Sequence, residues 1–328
     1  MKAYVLEFPG GGLASNRQII DNCIMNQPTC SGAAVFIKWA ECEPVKGQPN
    51  WSAIDERLIQ WQNAGKKCAL LVWAMDYNNP NGSTPQWVLD DPDVECVVCD
   101  YYGKMPIPYS DAYKQHYKDF MTRVMTKYGS AGQRVDYLRF GLGVGGETAP
   151  PCYWELMKLG NMNKDDFDIT WCAFIDEMYS FVDAQDHLVR LDAPMNQYPG
   201  DNPRLEVCDW IADWADAHGG WSFGTQGLNQ GDITAYANGQ PTTSNWLANF
   251  EEHAGTPNHL QTKSATDPSN SPGGAGSLDT LAPFALQHGC KAFELYLQDW
   301  RIAYDPTYPG YNEYGAAYRA ALEEIAGA

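Results

Sequence analysis

The segment LRFGLGVGGETAPP, residues Leu138–Pro151, shows the strand-to-loop pattern on which the fold prediction rests. It begins as a short apolar strand and passes into a loop rich in glycine and proline. Glycine inside a strand costs stability and often marks the close approach of a ligand or another backbone. Glu147 follows these glycines at the predicted carboxyl end of the strand, where loops often carry function. We therefore expect Glu147 to be a catalytic acid; the alternative is a surface glutamate in an ordinary loop.

Similar apolar runs recur along the chain, separated by amphipathic segments. Short runs rich in β-branched and aromatic residues are typical of buried parallel strands. The amphipathic segments have helical spacing, as where Tyr113, Tyr117, Phe120 and Val124 share one face. The predicted strands are Ala3–Phe8, Ala33–Trp39, Cys68–Met75, Asp136–Gly143, Val189–Met195, Ser222–Gln226, His259–Ser264 and Ala292–Gln298.

The connections between these elements differ in length according to their direction. Links from a helix to the next strand are short, as at Ala64–Lys67, whereas links from a strand to the next helix are long, as at Asp76–Tyr109. This asymmetry predicts an α/β fold in which residues 1–328 form a single (β/α)8 TIM barrel, with the active site built by its long βα loops. An open doubly wound sheet is the alternative. It needs a glycine-rich phosphate turn, and the glycines at 10–12 lack the G-x-G-x-x-G spacing.

The overall charge narrows the range of partners. The formal net charge of −19 argues against nucleic acid or an anionic membrane surface as a partner, since both require Lys and Arg to neutralise phosphates. No apolar run reaches the length of about 18 residues that suggests a membrane span. Met1–Phe8 is predicted to be a strand rather than a leader. The protein is therefore either cytoplasmic, or secreted or periplasmic with its signal peptide outside this sequence.

Cysteines and histidines give no pattern typical of a cofactor or metal site. The ten cysteines allow up to five disulfides in an oxidising compartment. Cys96 and Cys99 form a single C-x-x-C pair, which we interpret as a loop staple or as free thiols, because a zinc ribbon needs two such pairs. The six histidines are scattered, and a G-x-S-x-G serine motif is absent from the sequence. We expect neither a metal nor another cofactor.

A second motif follows the second predicted strand. The residues that form the pattern W-x-x-x-E-P-x-x-G, together with the aromatic residue and helix start after it, are Trp39, Glu43, Pro44, Gly47, Trp51 and Asp55. This pattern, with the GVGGE segment before Thr148, resembles the large clan of retaining glycosidases built on (β/α)8 barrels, which includes β-galactosidases and β-glucanases. The resemblance implies that Glu147 is the acid/base and that Glu43 is structural. The 12 Trp and 19 Tyr agree with a cleft for sugars.

The resemblance fails at the seventh predicted strand, where the clan carries its second glutamate. Glycoside hydrolysis needs two carboxyl groups, and this strand ends instead with Gln261. Three explanations stay open: a Glu replaced by Gln, a second carboxylate from another strand, or a protein that binds sugar without cleaving it. Strand parity and position suggest four candidates for a relocated carboxylate: Glu294, Asp192, Asp299 and Glu7. For Glu294 the alternative is a buried ion pair with Arg139 or Arg190.

The sequence thus predicts a glycosidase that acts on a poly- or oligosaccharide; the alternative is a catalytically inactive carbohydrate-binding TIM-barrel protein. It specifies neither the sugar nor an oligomeric state. The residues expected to contact substrate, all near the carboxyl ends of predicted strands, are Trp39, Trp73, Gln226, Gln261, Tyr296 and Trp300.

Overall fold

The strands of this protein form a closed parallel barrel. A computed structural model describes residues 1–8, 14–76, 82–100, 103–132, 134–195, 205–238, 246–266 and 275–327. Its eight strands are β1 (Lys2–Glu7), β2 (Gly32–Lys38), β3 (Cys68–Met75), β6 (Val135–Val144), β7 (Arg190–Met195), β8 (Trp221–Leu228), β9 (Asn258–Thr262) and β10 (Ala292–Leu295). They pair in the order β1-β2-β3-β6-β7-β8-β9-β10, and β10 closes the ring on β1. The predicted (β/α)8 barrel is confirmed.

Helices surround the barrel and follow its strands. They are α1 (Ala14–Ile19), which continues as a π-helix (Ile20–Ile24), α2 (Trp39–Cys42), α3 (Ser52–Asn63), α4 (Gln86–Leu89), α5 (Asp111–Tyr128), α6 (Tyr153–Leu159), α7 (Lys164–Asp183), α8 (Leu205–Ala217), α9 (Gln230–Ala237), α10 (Trp246–Glu252), α11 (Leu278–Gln287), α12 (Leu297–Tyr304) and α13 (Tyr311–Gly327). The predicted asymmetry is also confirmed, since α8 and β8 are only a few residues apart whereas β3 and α5 are separated by a long excursion.

The strand predictions differ from the structure mainly at their ends. The predicted strand Cys68–Met75 has the same bounds as β3. The predicted strand Ala292–Gln298 was too long, because the chain turns into α12 at Leu297, where the backbone N–H of Tyr296 donates to Asp299 Oδ2 at 3.0 Å. The glycines at 10–12 lie outside the described residues.

Alternation along the strands separates an inner layer of side chains from an outer one. Outward residues such as Val5 and Val35 pack with the helices in the main hydrophobic core. Inward residues such as Tyr4, Phe36 and Leu71 form a smaller apolar cluster inside the barrel. Glu7 lies two residues after Val5 and so shares its outward face. Inward residues near the carboxyl ends therefore determine what a ligand at the mouth would meet.

The long connection between β3 and α5 contains an antiparallel hairpin of β4 (Cys96–Cys99) and β5 (Gly103–Pro106). A disulfide joins Cys99 to Cys152, which directly precedes α6, with a Cα–Cα distance of 5.6 Å. Cys96 is a free thiol. The C-x-x-C residues are therefore not paired with each other, because the hairpin places Cys99 beside the loop that follows β6. Among the described residues, no helix is both long and apolar enough to cross a membrane.

Candidate active site

A pocket of about 200 Å³ lies at the carboxyl-end mouth of the barrel. Its walls come from most of the barrel strands or the residues that follow them, which is the usual place for a site in this fold. The lining residues are Leu6, Phe8, Phe36, Trp73, Asp76, Gly145, Glu147, Gln226, Gln261, Lys263 and Tyr296. Glu147 and four of the residues predicted to contact substrate are thus brought together.

A larger cavity of about 400 Å³ adjoins this pocket, between α1 and α12. The two share Leu6, Phe8 and Tyr296, but Glu147 lines only the smaller one. We place the candidate chemistry in the smaller pocket because its carboxyl groups face the barrel mouth.

Glu147 is positioned by a chain reversal at the end of β6. The backbone N–H of Gly143 donates to the carbonyl oxygen of Glu147 at 2.7 Å, so the loop folds back onto the strand that precedes it. A side chain at Gly141 would collide with the backbone of Gly146, and a side chain at Gly146 would collide with the indole of Trp73. The glycine run is therefore a steric requirement of the turn that presents Glu147.

The surroundings of Glu147 favour its protonated form. The Glu147 side chain is half-buried and lines the pocket. Burial raises the pKa of the Glu147 carboxyl to about 8, although the Arg139 guanidinium opposes that rise. A carboxylic acid that keeps its proton at neutral pH is suited to protonate a leaving group.

A second carboxyl group lines the same pocket and was not predicted. Asp76 directly follows β3, and its Oδ2 lies 3.1 Å from Lys38 Nζ at the end of β2. The Lys38 ammonium also lies over the Trp73 ring, 5.6 Å from its centre. The sequence signal was present, since Asp76 stands immediately after the last residue of a strand, as a mouth-facing acid should.

Several polar side chains line the pocket near Glu147. Gln261 hydrogen-bonds the Tyr296 hydroxyl, which also interacts electrostatically with Glu147. Within the described ranges, Gln261 Oε1 and Trp73 Nε1 are buried without a hydrogen-bond partner. Gln226 Nε2 donates to the Gly146 carbonyl at 3.4 Å. Unpaired buried polar atoms are costly, so Gln261 Oε1 and Trp73 Nε1 are expected to bind water or a ligand hydroxyl.

Two of the predicted carboxylates lie within the barrel in a buried ion-pair network. Arg139 donates to Asp192 Oδ2 at 2.7 Å and to Glu294 Oε1 at 2.6 Å. Asp192 also contacts His259 Nδ1 at 2.9 Å and accepts from the Ser222 hydroxyl at 2.6 Å. The buried His259 and Arg139 partners hold the pKa of Asp192 far below its usual range. The ion-pair alternative for Glu294 is the arrangement found, and neither carboxylate lines the pocket.

The other two predicted carboxylates hold helices in place. Asp299 is fully buried in the first turn of α12 and accepts from the backbone N–H of Thr266 at 2.7 Å. Burial raises the pKa of Asp299 to about 7, opposed by its hydrogen bonds. Glu7 forms a buried ion pair with Arg57 and accepts from Trp61 Nε1 at 3.1 Å.

Trp39 and Trp300, which were expected to contact substrate, do not line the pocket. Both side chains have no exposed surface, because Trp39 begins α2 and Trp300 lies within α12, and both pack in the outer core. The indole of Trp39 donates to Glu43 Oε2 at 2.9 Å, and Arg123 pairs with the same carboxylate at 2.7 Å. These contacts agree with a structural role for Glu43.

No cluster of three or more His, Cys, Asp or Glu side chains that could hold a metal ion occurs in the part of the chain that the structure describes.

Comparison with known proteins supports the architecture. The chain is similar to a solved β-galactosidase from the psychrophilic Marinomonas ef1, with a TM-score of 0.55 and 13% identity, over 90% of this chain and 54% of that one. It spans about half the length of that enzyme. At this identity the likeness shows the α/β barrel fold alone. No protein-family model and no curated protein matches the chain.

Proposed function

We propose that this protein hydrolyses glycosidic bonds in a poly- or oligosaccharide, with Glu147 as the general acid. The observation that carries the proposal is a half-buried carboxyl, with a pKa raised to about 8, inside a pocket at the barrel mouth. Cleavage of a glycosidic bond needs a carboxylic acid that protonates the leaving oxygen and a second carboxyl group on the other side of the sugar. A Glu that stays protonated at neutral pH meets the first requirement.

The walls of the pocket support a sugar as the ligand. Phe8 and Phe36 stack with ring centres 3.9 Å apart, and Trp73 meets Phe36 edge-on at 4.8 Å. Aromatic surfaces of this kind suit the apolar C–H faces of a sugar ring, while a few placed polar groups fix its orientation. We assign that second role to Gln261 and Gln226, whose amides can bind hydroxyl groups.

Replacement of the acid gives a direct test. Glu147→Gln should lower kcat/KM on glycosides with poor leaving groups by roughly 10²–10⁴-fold, because general acid catalysis supplies an effect of that size. Glycosides with activated phenol leaving groups should lose much less, since these depart without a proton. The assay compares the two substrate classes for a sugar identified from a polysaccharide panel. Glu313→Gln, an exposed Glu in α13, is the matched control. Equal losses on both classes would contradict the assignment.

A binding protein without activity is the second candidate. It is favoured by Gln261, which stands at the end of β9 where the resembling glycosidases carry a glutamate. In that case the parent protein would hydrolyse nothing on the panel, but would bind a glycan in an affinity assay and lose that binding in Trp73→Ala. Hydrolysis by the parent that Glu147→Gln abolishes would exclude it.

A further inference from the structure

We propose that Asp76 supplies the second carboxylate of this site and acts on the anomeric carbon, either directly or through a water molecule. This inference rests on the proposed function. It replaces the four carboxylates that the sequence suggested with a residue at the end of a different strand.

The pocket lining leaves Asp76 as the one candidate partner for Glu147 among the described residues. Among the described residues that line the pocket, Asp76 and Glu147 are the carboxylic acids. Asp192 and Glu294 are both paired with Arg139 inside the barrel, and Asp299 accepts from the Thr266 hydroxyl. A buried carboxylate held by such partners cannot turn toward a substrate without leaving a charge uncompensated.

The position of Asp76 provides the second argument. It follows the carboxyl end of β3, and β3 and β6 are neighbouring strands of the barrel, so that Asp76 and Glu147 enter one pocket from adjacent walls. Trp73, on the inward face of the same strand, also lines the pocket. Both carboxyl groups therefore line one pocket of about 200 Å³.

The charges of the pocket provide the third argument. Asp76 is the anionic partner in an ion pair with Lys38, whereas Glu147 has no cationic group in contact. Glycosidases work through such a difference, in which one carboxyl keeps a proton and the other stays ionised. Lys38 is fixed between Asp76 and the Trp73 ring, so it can orient the carboxylate. We assign Lys38 a positioning role.

The chemical step balances with these two residues alone. In one form, an Asp76 oxygen bonds to the anomeric carbon as the glycosidic C–O bond breaks. The bonding pair leaves with the aglycone oxygen, which takes the Glu147 proton; water, deprotonated by Glu147, then displaces Asp76. In the other form, Asp76 takes a proton from water as the water oxygen bonds to the anomeric carbon, while the glycosidic C–O bond breaks and the aglycone oxygen takes the Glu147 proton. The first form retains anomeric configuration and requires carboxyl groups about 5 Å apart; the second inverts it at about 6.5–9.5 Å.

Substitution of Asp76 tests the inference. Asp76→Asn and Asp76→Ala should each lower kcat by roughly 10²–10⁴-fold, on activated and unactivated glycosides alike. That pattern differs from the pattern expected for Glu147→Gln. Asp111→Asn, whose side chain is fully exposed, is the matched control. Azide should restore part of the rate of Asp76→Ala and form a glycosyl azide, which a merely structural role for Asp76 would not produce.

A second measurement uses the unmodified protein, so it does not depend on whether the variants fold. NMR of the first-formed product gives retention or inversion. If configuration is retained, a 2-deoxy-2-fluoro glycoside of the hydrolysed sugar should label the peptide that contains Asp76, as read by mass spectrometry. A label on any other residue, or full activity in Asp76→Asn, would overturn the inference. A parent protein without hydrolysis would instead overturn the proposed function itself.

Discussion

Two carboxyl groups line one pocket in this protein, and they differ in their contacts and burial. Asp76 meets the Lys38 ammonium at 3.1 Å, whereas burial raises the pKa of the half-buried Glu147 and the Arg139 guanidinium opposes that rise. Burial disfavours the charged form of a carboxyl, and an adjacent cation favours it. Burial therefore accounts for the raised pKa of the Glu147 carboxyl.

The raised pKa of Glu147 also predicts how stability depends on pH. In the unfolded chain this carboxyl ionises near pH 4.5, whereas in the folded protein it keeps its proton up to about pH 8. Between these values the unfolded state binds fewer protons, so the free energy of unfolding should fall as pH rises. Glu147→Gln should remove this pH dependence. Its free energy of unfolding, relative to that of the parent protein, should therefore rise between pH 4.5 and about pH 8. Urea unfolding at a series of pH values measures the effect, and parallel curves for the two proteins would contradict it.

The element that presents Glu147 is a strand that reverses at its end. Gly146 has a φ of +73° and lies against the Trp73 indole, so its position requires both left-handed backbone and the absence of a side chain. The disulfide between Cys99 and Cys152 ties the continuation of this loop to the β4–β5 hairpin. The acid is therefore held from both sides, by strand β6 and by a covalent link.

Gly146→Ala should move the acid without replacing it. The alanine would strain the backbone by about 1–2 kcal/mol and collide with Trp73. We expect a loss of stability of at least that size in urea unfolding, with lower kcat on unactivated glycosides. Gly219→Ala, at a position where an added side chain meets nothing within 4 Å, is the control. Unchanged activity in Gly146→Ala would show that the turn does not position Glu147.

At the scale of the whole molecule, a buried polar network ties the barrel strands together. Arg139 on β6 reaches Asp192 on β7 and Glu294 on β10, and Asp192 continues the contacts to β8 and β9. These pairs cross the interior that most barrels fill with apolar side chains. The two carboxylates share one guanidinium, so its loss would leave both without their common cation.

Arg139→Met is accordingly predicted to be strongly destabilising. Removal of one partner from a buried ion pair typically costs about 3–5 kcal/mol, because the remaining charge stays buried. Arg17→Met, which removes a solvent-exposed pair with Glu56, should cost at most about 1 kcal/mol. Urea unfolding of both variants measures the difference. Similar small losses in the two would mean that the carboxylates of the network are neutral or hydrated.

The sequence by itself determined the barrel and the position of Glu147 at its carboxyl-end mouth. Strand alternation, loop length and the glycine run before Glu147 are local properties, because side-chain period and chain reversal depend on a few neighbouring residues. The tertiary structure decided which carboxylates are available, that Trp39 and Trp300 are buried, and that Cys99 pairs with Cys152. Arg139 neutralises Glu294 across 155 residues of sequence. Such a pairing depends on the closure of the barrel, which no local pattern encodes.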